Sequence, residues 1–143
     1  MGDLFRNQTE VPWLNSYKKS WNKITQNNKT PHAILISGNS GIGKRSFAIW
    51  LASKHLDITT KYESCIYPFA VPSHADLKWI NPNEGKRDIS VDQIRQIIDD
   101  LTMSSYEGIG KVAVIEPANK MNISSANSLL KILEEPPGNT LII

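Results

Sequence analysis

The sequence predicts an α/β fold in which helices cover both faces of a parallel sheet, making three layers. Short apolar runs alternate along the chain with longer segments of helical periodicity. The runs at residues 33–36 and 112–115 are apolar at every position, which is typical of parallel strands that are buried on both faces. A glycine-rich turn separates the first run from a helical segment, and this order of elements is typical of the P-loop NTPase class.

The first helical segment begins near Pro12 and has an aromatic stripe. Its apolar residues recur at spacings of four, four and three, which places them on one face of a helix. These residues are Trp13, Tyr17, Trp21 and Ile24. Because a stripe of this kind most often packs into a core, we expect this face to be buried.

Caps, turns and apolar runs predict the other elements. Strands are predicted at residues 34–37, 77–80, 111–115 and 140–143. Further helices are predicted at residues 43–55, 90–103 and 123–134. Ser90 is the expected N-cap of the second of these, and Asn122 or Ser124 that of the third. Since the sequence stops inside the fourth strand, we expect a domain that is truncated within or after that strand.

The length of 143 residues is typical of one domain. We assign residues 1–11 to a lead-in and residues 12–143 to an incomplete P-loop domain, with an irregular segment at residues 57–76. The net charge of +2 is too small to indicate nucleic-acid binding by itself. The single Cys65 excludes an internal disulfide, and with His74 it is too little for a four-ligand zinc site. No apolar run approaches the roughly 18 residues of a membrane span.

The glycine-rich turn has the spacing of a phosphate-binding loop. Gly38, Gly41 and Gly43 allow the backbone to curl so that its N–H groups point inward, and Lys44 can reach the terminal phosphates. His32, just before the first strand, is read as structural. The nucleotide-binding candidates are Gly38, Gly41, Gly43, Lys44, Ser46 and Glu116.

The positions that would hold magnesium depart from the pattern. Arg45 stands where a Ser or Thr hydroxyl should bind the ion, and Ser46 comes about 100° further round the helix. The strand of the second motif ends in Glu116, either a lengthened metal ligand or a solvated acid, and Pro117 stands where many ATPases place a glutamate. Each missing group typically lowers the rate by orders of magnitude, so useful hydrolysis is not expected.

One string of residues carries a specific resemblance. The segment at residues 125–137 reads S-A-N-S-L-L-K-I-L-E-E-P-P, and an amphipathic helix stopped by two prolines explains its leucine spacing but not the whole string. Together with Pro31-His32-Ala33 and the P-loop, it resembles the bacterial clamp-loader subunits, members of the AAA+ class of P-loop NTPases. The resemblance runs from about Trp13 to Ile143.

The resemblance implies a function. Motor subunits of that family keep G-K-T/S and D-E motifs and a four-cysteine zinc module, whereas this chain has Arg45, Pro117 and a single cysteine. It therefore resembles the non-hydrolysing subunit of the loader, a cytoplasmic component of the DNA polymerase III holoenzyme that helps load the sliding clamp on primed DNA. The implied partners are the delta subunit, the motor (gamma/tau) subunits, the clamp and, through the assembled complex, DNA. No zinc or other cofactor is expected, and ATP with magnesium would bind weakly if at all.

The resemblance also implies a surface that faces DNA. Clamp-loader helices turn their N-termini towards the duplex backbone, and free N–H groups and hydroxyls bind phosphate without reading sequence. The candidates in this chain are Lys120, Asn122, Ser124 and Ser125. Ordinary helix capping is the alternative explanation of these residues.

Two other functions stay open at this point. The chain could be an active motor subunit or a related AAA+ ATPase, with Ser46 or Arg45 compensating for the missing hydroxyl. It could also be a small-molecule P-loop kinase, although that class does not account for the string at residues 125–137. Tight, magnesium-dependent ATP binding would favour the motor subunit or related ATPase.

Overall fold

A computed structural model describes residues 11–58, 71 and 73–143 of the chain. Most of the predicted lead-in and most of the irregular segment at residues 57–76, including Cys65, lie outside the described residues. Within the described ranges, no helix is both long enough and apolar enough to cross a membrane.

The described elements follow the predicted order. The helices are α1 (Asn15–Thr25), α2 (Lys44–His55), α3 (Val91–Thr102) and α4 (Ile123–Glu134). The strands are β1 (Leu77–Ile80), β2 (Lys111–Ile115) and β3 (Thr140–Ile142). Short 3-10 turns at Pro12–Leu14 and Ala118–Lys120 precede α1 and α4. The other bounds differ from the predictions by about one residue, apart from α1, which begins three residues after Pro12, and the predicted strand at residues 34–37.

The helix caps confirm the predicted starts of α3 and α4. The Ser90 hydroxyl oxygen accepts the backbone N–H of Gln93 at 3.2 Å, and the Gln93 side chain accepts the backbone N–H of Ser90 at 3.0 Å. This reciprocal pair is a capping box. At α4 the side chain of Asn122 accepts the backbone N–H of Ser125 at 2.8 Å, so Asn122 and not Ser124 is the cap.

The sheet is parallel, and its order is β1-β2-β3. Side chains of β2 alternate between two apolar clusters: Val112 and Val114 pack with α2 on one face, and Ala113 and Ile115 pack with α3 and α4 on the other. The predicted three-layer α/β architecture is confirmed, because the sheet has helices and a core on both faces.

The first predicted strand is present only in part. Ala33 forms a parallel bridge with Ile142, and the backbone N–H of Ile34 donates to the carbonyl of Ile142 at 2.8 Å. No regular strand continues from this bridge over residues 34–37, and the adjoining β3 ends at Ile142. The predicted position of the run at the edge of β3 is right, but a regular strand over residues 34–37 is wrong.

The predicted burial of the α1 stripe is wrong for most of its residues. Trp21 packs into the core with Leu14, whereas Trp13 is 59%, Tyr17 60% and Ile24 48% exposed. Helical spacing shows that residues share a face but does not show that the face is covered. The core contact of α1 uses the neighbouring face.

Candidate functional site

The glycine-rich turn between residue 37 and α2 is the segment with the spacing of a phosphate-binding loop. Gly41 has φ +82° and Gly43 has φ +92°, backbone conformations that residues other than glycine rarely adopt. A Cβ atom on Gly43 would also lie 3.1 Å from Cγ1 of Val11 and 3.3 Å from Cδ1 of Leu14. The segment before α1 therefore packs directly on the loop, and Gly43 allows both the turn and this close approach.

Lys44 is bound to the loop that carries it. Its ammonium group donates to the backbone carbonyls of Gly38 at 2.6 Å and Asn39 at 2.9 Å. In the nucleotide-binding role the same group would donate to phosphate oxygens. In this structure the loop's own carbonyls take the place of those acceptors, so binding a phosphate would require Lys44 to exchange partners.

Arg45 and Glu116 form an ion pair. The Nε atom of Arg45 donates to Oε1 of Glu116 at 2.7 Å and to Oε2 at 2.9 Å. The indole N–H of Trp79, on β1, donates to the same carboxylate at 2.9 Å. Glu116 is thus held by one charged and one neutral donor, in a short geometry that is typical of charge-assisted hydrogen bonds.

A pocket of about 500 Å³ lies over these groups. It is open at the carboxyl ends of parallel strands, where ligands bind in open α/β sheets. Its polar lining includes Ser37, Ser40, Lys44, Arg45, Glu116 and Asn119. Predicted candidates Gly38, Lys44 and Glu116 line this pocket, whereas Ser46 is buried and is not among the lining residues.

The residues of the pocket do not fit magnesium. The position that should supply a hydroxyl supplies the guanidinium of Arg45, and the carboxylate of Glu116 is already neutralised by that cation. Within the described ranges, no group of three or more His, Cys, Asp or Glu side chains is placed to hold a metal ion. The two opposite charges satisfy each other where the P-loop class places an ion.

The four DNA-facing candidates differ in how exposed they are to solvent. Ser125 is fully buried, and its hydroxyl donates to the backbone carbonyl of Ile89 at 2.9 Å. The prediction that Ser125 faces outward is therefore wrong, because it joins α4 to the segment before α3. Asn122 and Ser124 are exposed at the start of α4, and Lys120 is partly exposed just before it.

Two of the strings that carry the family resemblance meet in space. A ring nitrogen of His32 lies 2.7 Å from the backbone carbonyl of Leu133, in the last turn of α4. This contact joins the entry of the first apolar run to the helix that ends in Glu134. The structural reading of His32 agrees with this geometry.

Sequence reasoning missed Trp79 and the pairing of Arg45 with Glu116. Arg45 and Glu116 are 71 residues apart, so no local pattern connects them. The available signal was chemical: the two departures from the motif carry opposite charges, and both motifs lie at the same edge of a parallel sheet.

The fold and site define a P-loop domain of the α/β class in which Arg45 and Glu116, at the two motif positions where that class carries magnesium ligands, form an ion pair. The chain belongs to a family described as "DNA polymerase III, delta subunit", whose sequence model matches residues 13–143.

Curated relatives agree with this assignment. The chain is 33% identical over 138 residues to DNA polymerase III subunit delta' of Pseudomonas aeruginosa, covering 92% of this chain and 41% of the relative. It is 29% identical over 136 residues to the protein of the same name from Escherichia coli, covering 90% and 40%. The chain therefore spans about two fifths of the length of these relatives.

A solved structure is also similar to this chain. It is the crystal structure of a DNA polymerase III gamma subunit-related protein from Thermotoga maritima, with 29% sequence identity and a TM-score of 0.46. The alignment covers 63% of this chain and 29% of that one.

Proposed function

We propose that this chain is the AAA+ region of a delta-prime-type clamp-loader subunit that does not hydrolyse ATP. Family membership supports the place in the DNA polymerase III clamp loader. The observation that carries the non-hydrolysing role is the ion pair between Arg45 and Glu116, with both carboxylate oxygens within 2.9 Å of Nε. A site whose ligand positions neutralise each other has no vacancy for the ion that ATP cleavage needs.

The proposed role is structural. The subunit holds a fixed position beside the delta subunit and the motor (gamma/tau) subunits, which hydrolyse ATP and place the sliding clamp on primed DNA. Of the DNA-facing candidates, Lys120, Asn122 and Ser124 keep positions from which they could contact a phosphate backbone. The proposed compartment is the cytoplasm.

An ATPase assay on the purified chain, with and without magnesium, tests the proposal. We expect no release of phosphate above a buffer blank, and isothermal titration should find no gain in ATP affinity when magnesium is added. Lys44→Ala should leave clamp loading by a reconstituted loader nearly unchanged, because Lys44 is held by its own loop. Steady hydrolysis that Lys44→Ala abolishes would overturn the proposal.

A restored site provides the matched comparison. Arg45→Thr with Glu116→Asp returns the hydroxyl and the shorter acid of the ordinary motifs, and this pair should bind ATP more tightly with magnesium than without it. Arg45→Thr alone should show a smaller increase in ATP affinity with magnesium, because the carboxylate of Glu116 still accepts the indole N–H of Trp79. If the wild-type protein already binds ATP with the same magnesium dependence as the double variant, then the ion pair of Arg45 with Glu116 does not exclude the metal.

A further inference from the structure

The outer edge of β1 is open among the residues that the structure describes. β1 lies at the end of the sheet order, and of the described strands only β2 pairs with it. The backbone carbonyls of Asp76 and Ile80 accept the N–H groups of Val112 and Glu116, at 2.9 and 2.8 Å. Because backbone groups alternate in direction along a paired strand, those of Trp79 point away from β2. A strand edge of this kind can pair with a further strand.

A groove of about 770 Å³ lies between this edge and α3. Asp92, Gln96 and Asp100 line it, and their spacing of four residues places them in one row along α3. The buried side chains of Ile80 and Ile97 also line the groove. The groove therefore combines apolar contact area, a row of polar side chains and the unpaired backbone of an edge strand.

Hydrogen bonds hold the strand and the helix of the groove in place. The side-chain amide of Gln93 donates to the backbone carbonyl of Asn81 at 2.8 Å, which joins the start of α3 to the end of β1. On the other face of the sheet, the indole N–H of Trp79 donates to Glu116 at 2.9 Å. An edge that is fixed before binding loses little conformational freedom when a partner pairs with it.

The formal charge of the groove is opposite to that of the chain. Three acids and one lysine line the groove, which gives −2, whereas the chain carries +2. Asp100 lies 3.9 Å from Lys78, and these two charges offset each other. Asp92 has a highly exposed contact with Arg95 at 3.7 Å, and Glu84 forms no ion pair in the described part of the chain. The remaining negative charge is complementary to a basic partner.

We propose that the groove between β1 and α3 binds an extended peptide segment of a partner protein, with basic residues at alternate positions. The segment pairs with the backbone of Trp79 as an added strand. Every second side chain of such a strand faces α3, where Glu84, Asp92 and Gln96 accept hydrogen bonds from Lys or Arg. The side chains between them face the opposite side of the sheet, beside Leu77 and the indole of Trp79, so β-branched apolar residues fit there.

Fluorescence anisotropy on the full 143-residue chain tests this inference. The probe is a labelled Lys-Val-Lys-Val-Lys peptide. Wild type should bind it more tightly than Lys-Lys-Lys-Val-Val, which has the same composition and charge without the alternation, and should not bind Glu-Val-Glu-Val-Glu. No binding of the probe by wild type, or equal binding of the two basic peptides, would overturn the proposal.

Methylated peptides test the backbone pairing separately from charge. N-methyl groups are placed on one alternate set of amides in one peptide and on the other set in a second. Only one set can face β1, so one peptide should bind about tenfold more weakly and the other should bind nearly as well as the probe. Equal effects of the two sets would show that the contact does not use the edge of β1.

Two pairs of substitutions test the acids of the groove. Glu84→Gln with Asp92→Asn should weaken binding of the probe by about fivefold, the effect of losing exposed ion pairs. Glu134→Gln with Glu135→Gln removes the same charge from exposed positions at the end of α4 and should leave the affinity unchanged. Circular dichroism checks that both variants are folded. Equal losses in the two variants would mean that net charge, and not the groove, attracts the peptide.

An added cation tests whether α3 forms one wall of the site. Gln96→Lys puts a positive charge in the middle of the row and should weaken binding of the probe by at least about fivefold. Gln26→Lys adds the same charge at an exposed position just after α1 and should have no effect. If Gln96→Lys binds the probe as tightly as Gln26→Lys does, the peptide does not lie along α3 and the proposal is wrong.

Discussion

When the sequence is considered alone, Arg45 and Glu116 each indicate the loss of an ordinary magnesium ligand of the P-loop motifs. In the structure these two departures from the motif compensate for each other, because the guanidinium of Arg45 and the carboxylate of Glu116 form an ion pair. Either charge by itself would lack this partner at the edge of the sheet. The sequence shows both departures from the motifs, and the loss of magnesium binding that they indicate stays a prediction. It could not predict the contact, because that depends on how β2 and α2 are placed in three dimensions.

A double-mutant cycle on this pair measures their coupling. Arg45→Ala, Glu116→Gln and the double variant should give a coupling of about 0.5–1 kcal/mol, since the Arg45 side chain is 50% exposed and solvent screens the pair. Urea unfolding of the four proteins supplies the free energies. Purely additive effects would show that Arg45 and Glu116 contribute no interaction energy. Arg95→Ala, which removes the exposed ion pair of Arg95 with Asp92 within α3, serves as the control.

Asp76 is the most deeply buried acid among the described residues. Burial raises its pKa, but the backbone N–H groups of Tyr106 and Glu107, at 2.8 and 3.0 Å, together with the electrostatic influence of nearby Lys111 and His74, outweigh that effect and leave the pKa lowered. The carboxylate fixes the loop after α3 to the start of β1.

The lowered pKa of Asp76 predicts how stability responds to acid. Its contribution is complete above the unfolded pKa of about 3.9 and is lost as the pH falls through the folded pKa. Asp76→Asn should lower the free energy of unfolding at neutral pH by about 1–3 kcal/mol, because the amide cannot accept both N–H groups equally well. Urea midpoints between neutral pH and pH 3 check this. If the two proteins lose stability in parallel below pH 4, another acid is responsible.

At the scale of elements, the sequence predicted Ser90 as the N-cap of α3, and the structure adds the reciprocal bond of Gln93 that completes a capping box. Ser90→Ala should lower the free energy of unfolding by about 1 kcal/mol, because the N–H of Gln93 then loses its acceptor. Ser104→Ala, in an exposed loop, is the control and should change it by less than about 0.5 kcal/mol. Equal midpoints in urea for wild type and Ser90→Ala would show that water replaces the cap at no loss.

The elements differ in how far their sequence determines them. The starts of α3 and α4 are encoded by a few adjacent residues, Ser90 with Gln93 and Asn122 with Ser125, so local reasoning found them. The face of α1 that enters the core depends on what packs above it, and periodicity alone placed Trp13 inside when it is outside. The first run forms one bridge where a strand was predicted, since pairing requires a neighbour as well as an apolar sequence.

At the scale of the whole molecule, the central position of β2 determines the architecture. All five of its residues are buried, and consecutive residues enter opposite clusters. An apolar run of this kind predicted helices on both faces. The polar contacts that join distant parts, such as the hydroxyl of Ser125 with the carbonyl of Ile89, were beyond sequence reasoning because each needs two segments in position first.

Leu141 offers a test of this two-sided core. It is fully buried in β3, next to β2, and belongs to the cluster that contains Trp50 and Val112. Leu141→Ala should lower the free energy of unfolding by about 2–5 kcal/mol, because the sheet edge between two packed layers cannot collapse onto the cavity. Leu130→Ala removes the same atoms from a side chain on α4 that is 53% exposed, and should change it by about 0.5 kcal/mol or less. Similar urea midpoints for the two variants would mean that β3 is not enclosed between the two helical layers.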